Sequence, residues 1–366
     1  MNEAPASQKI RLLGLAAPEM REAGGPLAEL PAFRARQIAR WVYARGETDF
    51  SRMTDLARPL REALDRAYTV APDPVISIQR GGGNEAYKFL FRLDDGRSVE
   101  AVLINAPRRR TICVSSQAGC AYGCAFCATA AMGPGRNLDA RELVGQVLAV
   151  RTLMREEGMT GGHNLVFMGM GEPLANLRHL IPALRLLQDD EGLAVGRRRI
   201  TVSTVGLVPA IRELAESDVR VRLAYSLNAT TTEVRQQLMP VEKKYPHTEV
   251  LEELAAFQRA TRMRVSLEYV LLDGVNDSDD DALRLSRLAR RYRFKVNLIA
   301  FNPHPAAPFA PTPESGIARF VTRMVPVAPS VTLRYSKGRD ILAACGQLST
   351  VWATPGSGPA RSRAGV

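Results

Sequence analysis

From about residue 110 onward the chain alternates short β-branched runs with longer amphipathic stretches, and this rhythm restricts the fold more than any other feature. The strand-like runs are Thr111–Ser115, Leu165–Met168, Ile200–Ser203, Val221–Ser226, Val265–Leu271 and Val296–Phe301. Helical periodicity covers Leu138–Glu157, Leu177–Asp189, Pro209–Glu216, Thr248–Ala260 and Asp280–Tyr292 between them. Strands joined through helices of this length pair in parallel, because a crossover returns the chain to the same end of the sheet. The pattern predicts an α/β fold, a partial six-stranded (β/α)6 barrel, since a closed barrel takes eight such units. A last run, Val331–Tyr335, leads to Cys345.

Before the barrel, residues 1–75 read as a helical accessory domain. Phe33, Ile38, Trp41 and Val42 fall near helical spacing, as do Leu56, Leu60 and Leu64. Residues 76–105 hold a Gly-rich turn, Gly81-Gly82-Gly83-Asn84, and a small β-hairpin extension. Its runs Ala86–Leu93 and Ser98–Ile104 flank Asp94-Asp95-Gly96. The barrel with its C-terminal Cys loop spans 106–350. The tail 351–366, rich in Gly, Pro, Ser and Arg, is expected to be disordered.

Charge points to a polyanionic partner. Forty-nine Lys and Arg against 38 Asp and Glu leave a net +11, which suits RNA first and a membrane surface second. Arg108, Arg109, Arg110 and Arg136 lie in a segment free of Asp and Glu, and Arg197-Arg198-Arg199 precedes the third strand. Arg34, Arg36, Arg40 and Arg45 line an N-terminal helical segment. Such clusters position phosphates without reading sequence, although each also reads as an ordinary solvated surface. No run of 18 uncharged apolar residues exists, so no transmembrane helix is expected. The apolar stretch Leu12–Ala17 is too short for a secretory signal and is followed by Glu19, so the expected location is cytoplasmic.

Chemistry concentrates in the five cysteines, 113, 120, 124, 127 and 345. An odd number with three inside eight residues favours metal or catalytic use over a disulfide framework. Cys120-x3-Cys124-x2-Cys127 follows the first barrel strand, where barrel enzymes carry their active face. Three thiolates with no nearby His fit a four-iron cluster with one iron left open. The alternative is a zinc site completed by Cys113 or Cys345.

This loop resembles the cluster loop of the radical S-adenosylmethionine superfamily. The resemblance narrows with Val114-Ser115-Ser116-Gln117, Arg136-Asn137-Leu138, Gly169-Met170-Gly171-Glu172-Pro173-Leu174 and Val202-Ser203-Thr204-Val205-Gly206. It continues through Ser226-Leu227-Asn228-Ala229, Leu272-Asp273-Gly274-Val275-Asn276-Asp277, Phe301-Asn302-Pro303 and Ala343-Ala344-Cys345-Gly346-Gln347-Leu348. With Phe33-Arg34-Ala35-Arg36-Gln37-Ile38 and Trp41-Val42-Tyr43, the ordered set is similar to the RlmN-type RNA adenine-C2 methyltransferases over residues 10–350.

The resemblance implies a [4Fe-4S] cluster on Cys120, Cys124 and Cys127, and two S-adenosylmethionine molecules per turnover. It implies cofactor contacts from Gly171, Glu172, Ser203, Ser226, Leu227, Asn228 and Asn302. Taken singly, Gly171 reads equally as a turn glycine, Ser203 as a helix N-cap and Asn302 as a turn residue before proline. The family chemistry makes Cys345 the methyl carrier and Cys113 the thiol that resolves it through a disulfide. Without the resemblance, Cys113 reads as a small buried hydrophobe and Cys345 as an inert loop thiol. Glu100 matches the family's proton acceptor, and otherwise reads as the polar face of an alternating strand. Implied partners are 23S rRNA at the peptidyl-transferase centre, the adenine 3′ of the anticodon in some tRNAs, and an electron donor such as flavodoxin, with the enzyme a monomer.

Tyr225, Asn228 and the pair Arg339-Asp340 depart from the usual family pattern. The nearest rival activity is methylation at adenine C8. A rival of another class is a zinc-stabilised RNA-binding protein without catalysis.

Overall fold

The computed structural model describes residues 9–107 and 109–350. Ten strands form one sheet in which every strand pairs with its neighbours in sequence. They are β1 (Val75–Arg80), β2 (Ala86–Arg92), β3 (Ser98–Ala106), β4 (Arg109–Cys113), β5 (His163–Phe167), β6 (Ile200–Thr204), β7 (Arg222–Ser226), β8 (Val265–Leu271), β9 (Lys295–Ala300) and β10 (Val331–Arg334). Strands β1 to β4 run antiparallel to one another. From β4 to β10 each pairing is parallel. The sheet ends at β1 and β10 and does not close.

The six expected barrel strands are present, with a seventh parallel strand beyond them. Helix Glu314–Met324 supplies the crossover that carries the chain from β9 to β10. The expected hairpin is also larger, because β1 adds a third strand. That unit is continuous with the barrel sheet through the register Val102↔Cys113.

The crossover helices form where apolar spacing and capping agree. Helix Ala140–Glu156 starts at Asp139, which accepts from the Glu142 N–H, while Glu142 accepts in return from the Asp139 N–H. Helix Asp279–Tyr292 starts at Ser278, whose hydroxyl accepts from Asp281 N.

The N-terminal residues form short helices, Ala17–Glu22, Pro26–Glu29, Ala32–Ala39 and Arg58–Ala67. Ile38, Val42 and Leu64 are fully buried, Trp41 and Leu60 are half-buried and Phe33 is exposed, while Leu56 is buried but lies just before helix Arg58–Ala67 rather than in it. The tail from 351 lies outside the described residues.

Candidate active site

The loop between β4 and helix Ala140–Glu156 carries Cys120, Cys124 and Cys127 over the C-terminal ends of the strands. It is held closed by backbone pairs from Ala118 N to Arg136 O and from Cys120 N to Gly133 O. The approach is tight, since a Cβ on Gly135 would lie 1.7 Å from Ala118 O, and only glycine fits. Across the cavity, Gly171 adopts φ +93°, and a Cβ there would lie 2.5 Å from the Gln117 side chain.

One cavity of about 160 Å³ gathers the three loop cysteines with Gly171, Glu172, Ser203, Ser226, Asn228, Asn302 and Cys345. Leu227 and Glu100 are not on its wall. Leu227 is fully buried, and only its backbone faces the loop network. Sequence reading missed Met168, Met239, Glu268 and Ile299, which also line the cavity. Glu268 could have been found from the alternation Ser266, Glu268, Val270, which places all three on one face of β8.

Several of these side chains are already engaged within the protein. Glu172 accepts from Leu174 N at 3.1 Å and Val205 N at 2.9 Å. Burial pushes its carboxyl up to about 7, with those N–H groups opposing the shift. Ser203 Oγ donates to Phe167 O at 2.7 Å. Asn228 sits at φ +55°, a conformation Asn tolerates, and its Oδ1 accepts from Val270 N at 3.0 Å. Asn302 Nδ2 donates to Ser336 Oγ and Cys345 O, while its Oδ1 accepts from Arg339 Nε at 2.9 Å. The unusual Arg339 therefore fastens Asn302, and Asn302 fastens the Cys345 loop.

Beneath the loop after β7 lies Arg235, completely buried and paired with Glu242 at 2.6 Å. It donates to the carbonyls of Val205, Ser226 and Leu227, so one cation fixes two walls of the cavity. Its guanidinium also covers the Tyr225 ring at 5.2 Å, which accounts for the bulky residue before Ser226.

The Cys345 loop is clamped to the cysteine loop by Ala128 N to Gly346 O at 2.8 Å and Thr129 Oγ1 to Leu348 O at 2.6 Å. Cys345 opens into the cavity, and it also lines a second one, of about 130 Å³, together with Cys113 and Glu268. The two outer cysteines thus share one chamber. Burial pushes the Cys113 thiol far up, and the Cys345 sulfur adds to the shift. The Cys345 residue is exposed at the surface, but its thiol is also raised, by desolvation among the chamber atoms and then by Glu268.

The donor set fits an iron–sulfur cluster. Burial raises the thiols of Cys124 and of Cys120, the latter to about 11, and the neighbouring sulfurs raise them further, so bound cationic iron would stabilise the thiolates. No His lines the cavity. Among the described residues no three His, Cys, Asp or Glu side chains converge closely enough for one metal ion. Tetrahedral zinc needs its sulfurs about 3.8 Å apart.

Glu100 is fully buried rather than on a solvated strand face. Lys88 lies 3.3 Å away and is itself 1% exposed. Ser349 N donates to Glu100 Oε2 at 3.1 Å, so the Cys345 loop closes over this carboxylate. Burial raises its proton affinity, and Lys88 opposes that.

The basic clusters separate by location. Arg136 pairs with Glu142 and Asp95, so it braces the cysteine loop and is not free for phosphate. Arg198, Arg222, Arg262 and Arg264 line a cavity at the N-terminal ends of the strands, the end away from the cysteine loop. Arg108 lies outside the described residues. No helix among the described residues is long and apolar enough to cross a membrane.

Comparison with known proteins agrees with this geometry. Residues 114–286 match the family model of the radical SAM superfamily. Residues 10–70 match that of the ribosomal RNA large subunit methyltransferase N-terminal domain. The chain is 48% identical over 319 residues to the dual-specificity RNA methyltransferase RlmN of Geobacter sulfurreducens, covering 86% of each chain. It is 43% identical over 343 residues to that of Halorhodospira halophila, covering 93% of this chain and 94% of the relative. Among solved structures, a radical SAM methyltransferase from Sphaerobacter thermophilus superimposes with a TM-score of 0.87 at 43% identity, covering 93% of this chain and 99% of that one.

Proposed function

The chain belongs to the RlmN family of radical SAM RNA methyltransferases, and we propose that it methylates C2 of adenine in 23S rRNA and in tRNA through Cys345. One observation carries the reading beyond family membership: Cys345 lines both the cavity with the cysteine loop and the chamber with Cys113. A sulfur so placed can take up a carbon unit on one side and be released by a thiol on the other.

Family membership brings a [4Fe-4S] cluster and S-adenosylmethionine. When bound, they supply a methyl group and a carbon radical. Cys120, Cys124 and Cys127 would hold the cluster. Gly171, Glu172, Ser203, Ser226, Asn228 and Asn302 surround the remaining space, and Leu227 stands behind the wall, its backbone tied to Arg235 and Glu268.

Adenine C2 lies between two ring nitrogens and is electron-poor, so it cannot attack an electrophilic methyl, whereas a carbon radical adds to it. Cys345 carries the methyl carbon as a thioether, loses a hydrogen atom from it, and presents that carbon to C2. A base then removes the C2 proton, and we assign this to Glu100. Glu100 lines neither cavity, so the loop that carries Ser349 must lift from the carboxylate before it can reach C2. The Cys113 thiolate then attacks the Cys345 sulfur as the bond from that sulfur to the transferred carbon breaks. The carbon takes up a proton to become the methyl group, the surplus electron of the radical adduct leaves the site, and reduction of the resulting disulfide restores both thiols. Electrons come from an external donor such as flavodoxin, and the working unit is a monomer.

The test is nucleoside mass spectrometry on RNA treated with reconstituted enzyme, reductant and methyl-labelled S-adenosylmethionine. The reading expects labelled 2-methyladenosine. Labelled 8-methyladenosine would move the attack to C8, and a colourless zinc-bound protein with no product would refute catalysis.

A further inference from the structure

Glu268 takes no part in the steps above, yet it stands on the wall of both cavities beside Cys345. It is 6% exposed. Its Oε1 accepts from Ser266 Oγ at 2.7 Å and from Asn297 Nδ2 at 2.6 Å. Its Oε2 is buried and has no hydrogen-bond partner. Two donors therefore fix the carboxylate through one oxygen, and its second oxygen is left without a donor on a residue that lines both cavities. A buried acceptor without a donor is costly in a folded chain, so such an atom points to a group that arrives with a ligand.

The chamber shared by Cys113 and Cys345 suits a flat base. Val102, Ile104, Met168, Ile299 and Leu348 give it apolar walls, and Glu268 is its one carboxylate. At its edge stand Arg334 and half-exposed Tyr335. A cation and an aromatic ring at the mouth of an apolar slot are what a splayed-out RNA nucleotide meets. Adenine offers the slot only one exocyclic hydrogen-bond donor, the 6-amino group, because N1, N3 and N7 all accept. The Cys113 and Cys345 sulfurs accept too weakly to satisfy it.

We propose that this chamber receives the substrate adenine out of its stack and that Glu268 Oε2 accepts a hydrogen bond from the 6-amino group, holding C2 toward Cys345. The inference rests on the RNA-adenine reading above and adds the residue that reads the base. Glu268 is in this sense a specificity residue.

The test uses a short target RNA carrying either adenosine or purine riboside, which lacks the 6-amino group, at the modified position. Glu268→Gln keeps the shape and an acceptor for Ser266 and Asn297. Glu268→Met removes the acceptor whichever way an amide would have turned. Cluster absorbance and thermal melting establish that each variant is folded. Dissociation constants and kcat/KM are measured for both RNAs.

The wild-type chain should favour adenosine by tenfold or more. Each variant should lose tenfold or more on adenosine and less than twofold on purine riboside. Equal losses on the two RNAs, or no loss on either, would overturn the assignment. If the wild-type enzyme methylates neither RNA, the proposed function fails on its own. Discrimination in the dissociation constants then still decides whether Glu268 reads the amino group.

Discussion

The buried pair Lys88–Glu100 should make stability depend on pH in a way that one substitution exaggerates. Both side chains are essentially inaccessible, at 1% and 0% exposure, with Nζ and Oε1 3.3 Å apart. Removing one member of a buried pair costs about 3–5 kcal/mol, because the other charge stays buried without compensation. Lys88→Met should therefore destabilise by that amount where Glu100 is ionised. Glu100 has its folded proton affinity raised by burial, and Lys88 opposes the rise. The folded state thus holds a proton that the unfolded state has released. Its stability is complete below the unfolded value near 4.5 and is lost as pH rises through the folded one. Deleting Lys88 pushes the folded value higher and widens that window. Melting followed by circular dichroism at pH 5.5 and 8.5 reads the effect. At about 2 °C per kcal/mol for a chain of this size, Lys88→Met should melt roughly 6–10 °C below the parent at pH 8.5 and much closer to it at pH 5.5. Adding Glu100→Leu should recover most of the loss, since an apolar pair of similar volume costs little. An equal deficit at both pH values, or a double variant no more stable than Lys88→Met, would refute the reasoning.

Further outcomes follow from the same geometry. Replacing any of Cys120, Cys124 or Cys127 with Ala should abolish iron–sulfur absorbance and methylation together, and a full cluster in one such variant would remove that residue from the ligand set. Cys113→Ala should trap RNA covalently on Cys345, giving a nuclease-sensitive gel-shifted species absent from Cys345→Ala and from the double variant; free product without added thiol would return Cys113 to core filler. Glu100→Gln should retain the cluster but slow loss of the C2 proton, measured as slower exchange or turnover on C2-protiated RNA, and an unchanged rate would leave Glu100 a purely structural residue. His163 is held near pKa 4, against 6.5 when free, first by burial and then by Arg151 and Arg199. Its neutral form is favoured in the fold, so stability is complete above about 6.5 and falls as pH drops toward 4. His163→Gln should be relatively more stable by about 1–2 kcal/mol at pH 5, and parallel pH–melting curves for the two proteins would contradict this.

What could be read from the chain beforehand was whatever depends on local spacing. The βα rhythm located six barrel strands, and the x3–x2 cysteine spacing located the loop over their C-terminal ends. Strand β10 was seen only as a run, because it is a four-residue edge whose residues are all half-buried. Its crossover helix Glu314–Met324 follows a proline-rich stretch that carries no periodic signal. Strand β1 was missed because Ile76, Ser77 and Ile78 are exposed, and no apolar face distinguishes it from a loop. Arg136 reads as free positive charge when no acid lies near it in the preceding segment, yet Glu142 is only six residues beyond and Asp95 folds back upon it.

Glu100 shows where local reading ends. Period-two alternation assigns its face to water only if the sheet has a wet side, and here residues 345–350 cover that side from 249 positions away. The same loop has no regular structure to fix Cys345. Its place is set by Asn302 from the end of β9, Thr129 from the cysteine loop and Glu100 from β3. Each clamp joins residues more than 40 positions apart, so none has a sequence signature. A reactive sulfur held this way can be displaced by substitutions that never touch substrate. Losses at Asn302 or Thr129 should therefore appear first in how fast Cys345 is alkylated and methylated. Melting temperature should fall by only a few degrees, because Asn302 and Thr129 are buried but each substitution removes one or two hydrogen bonds, about 1–3 kcal/mol in a chain of this size.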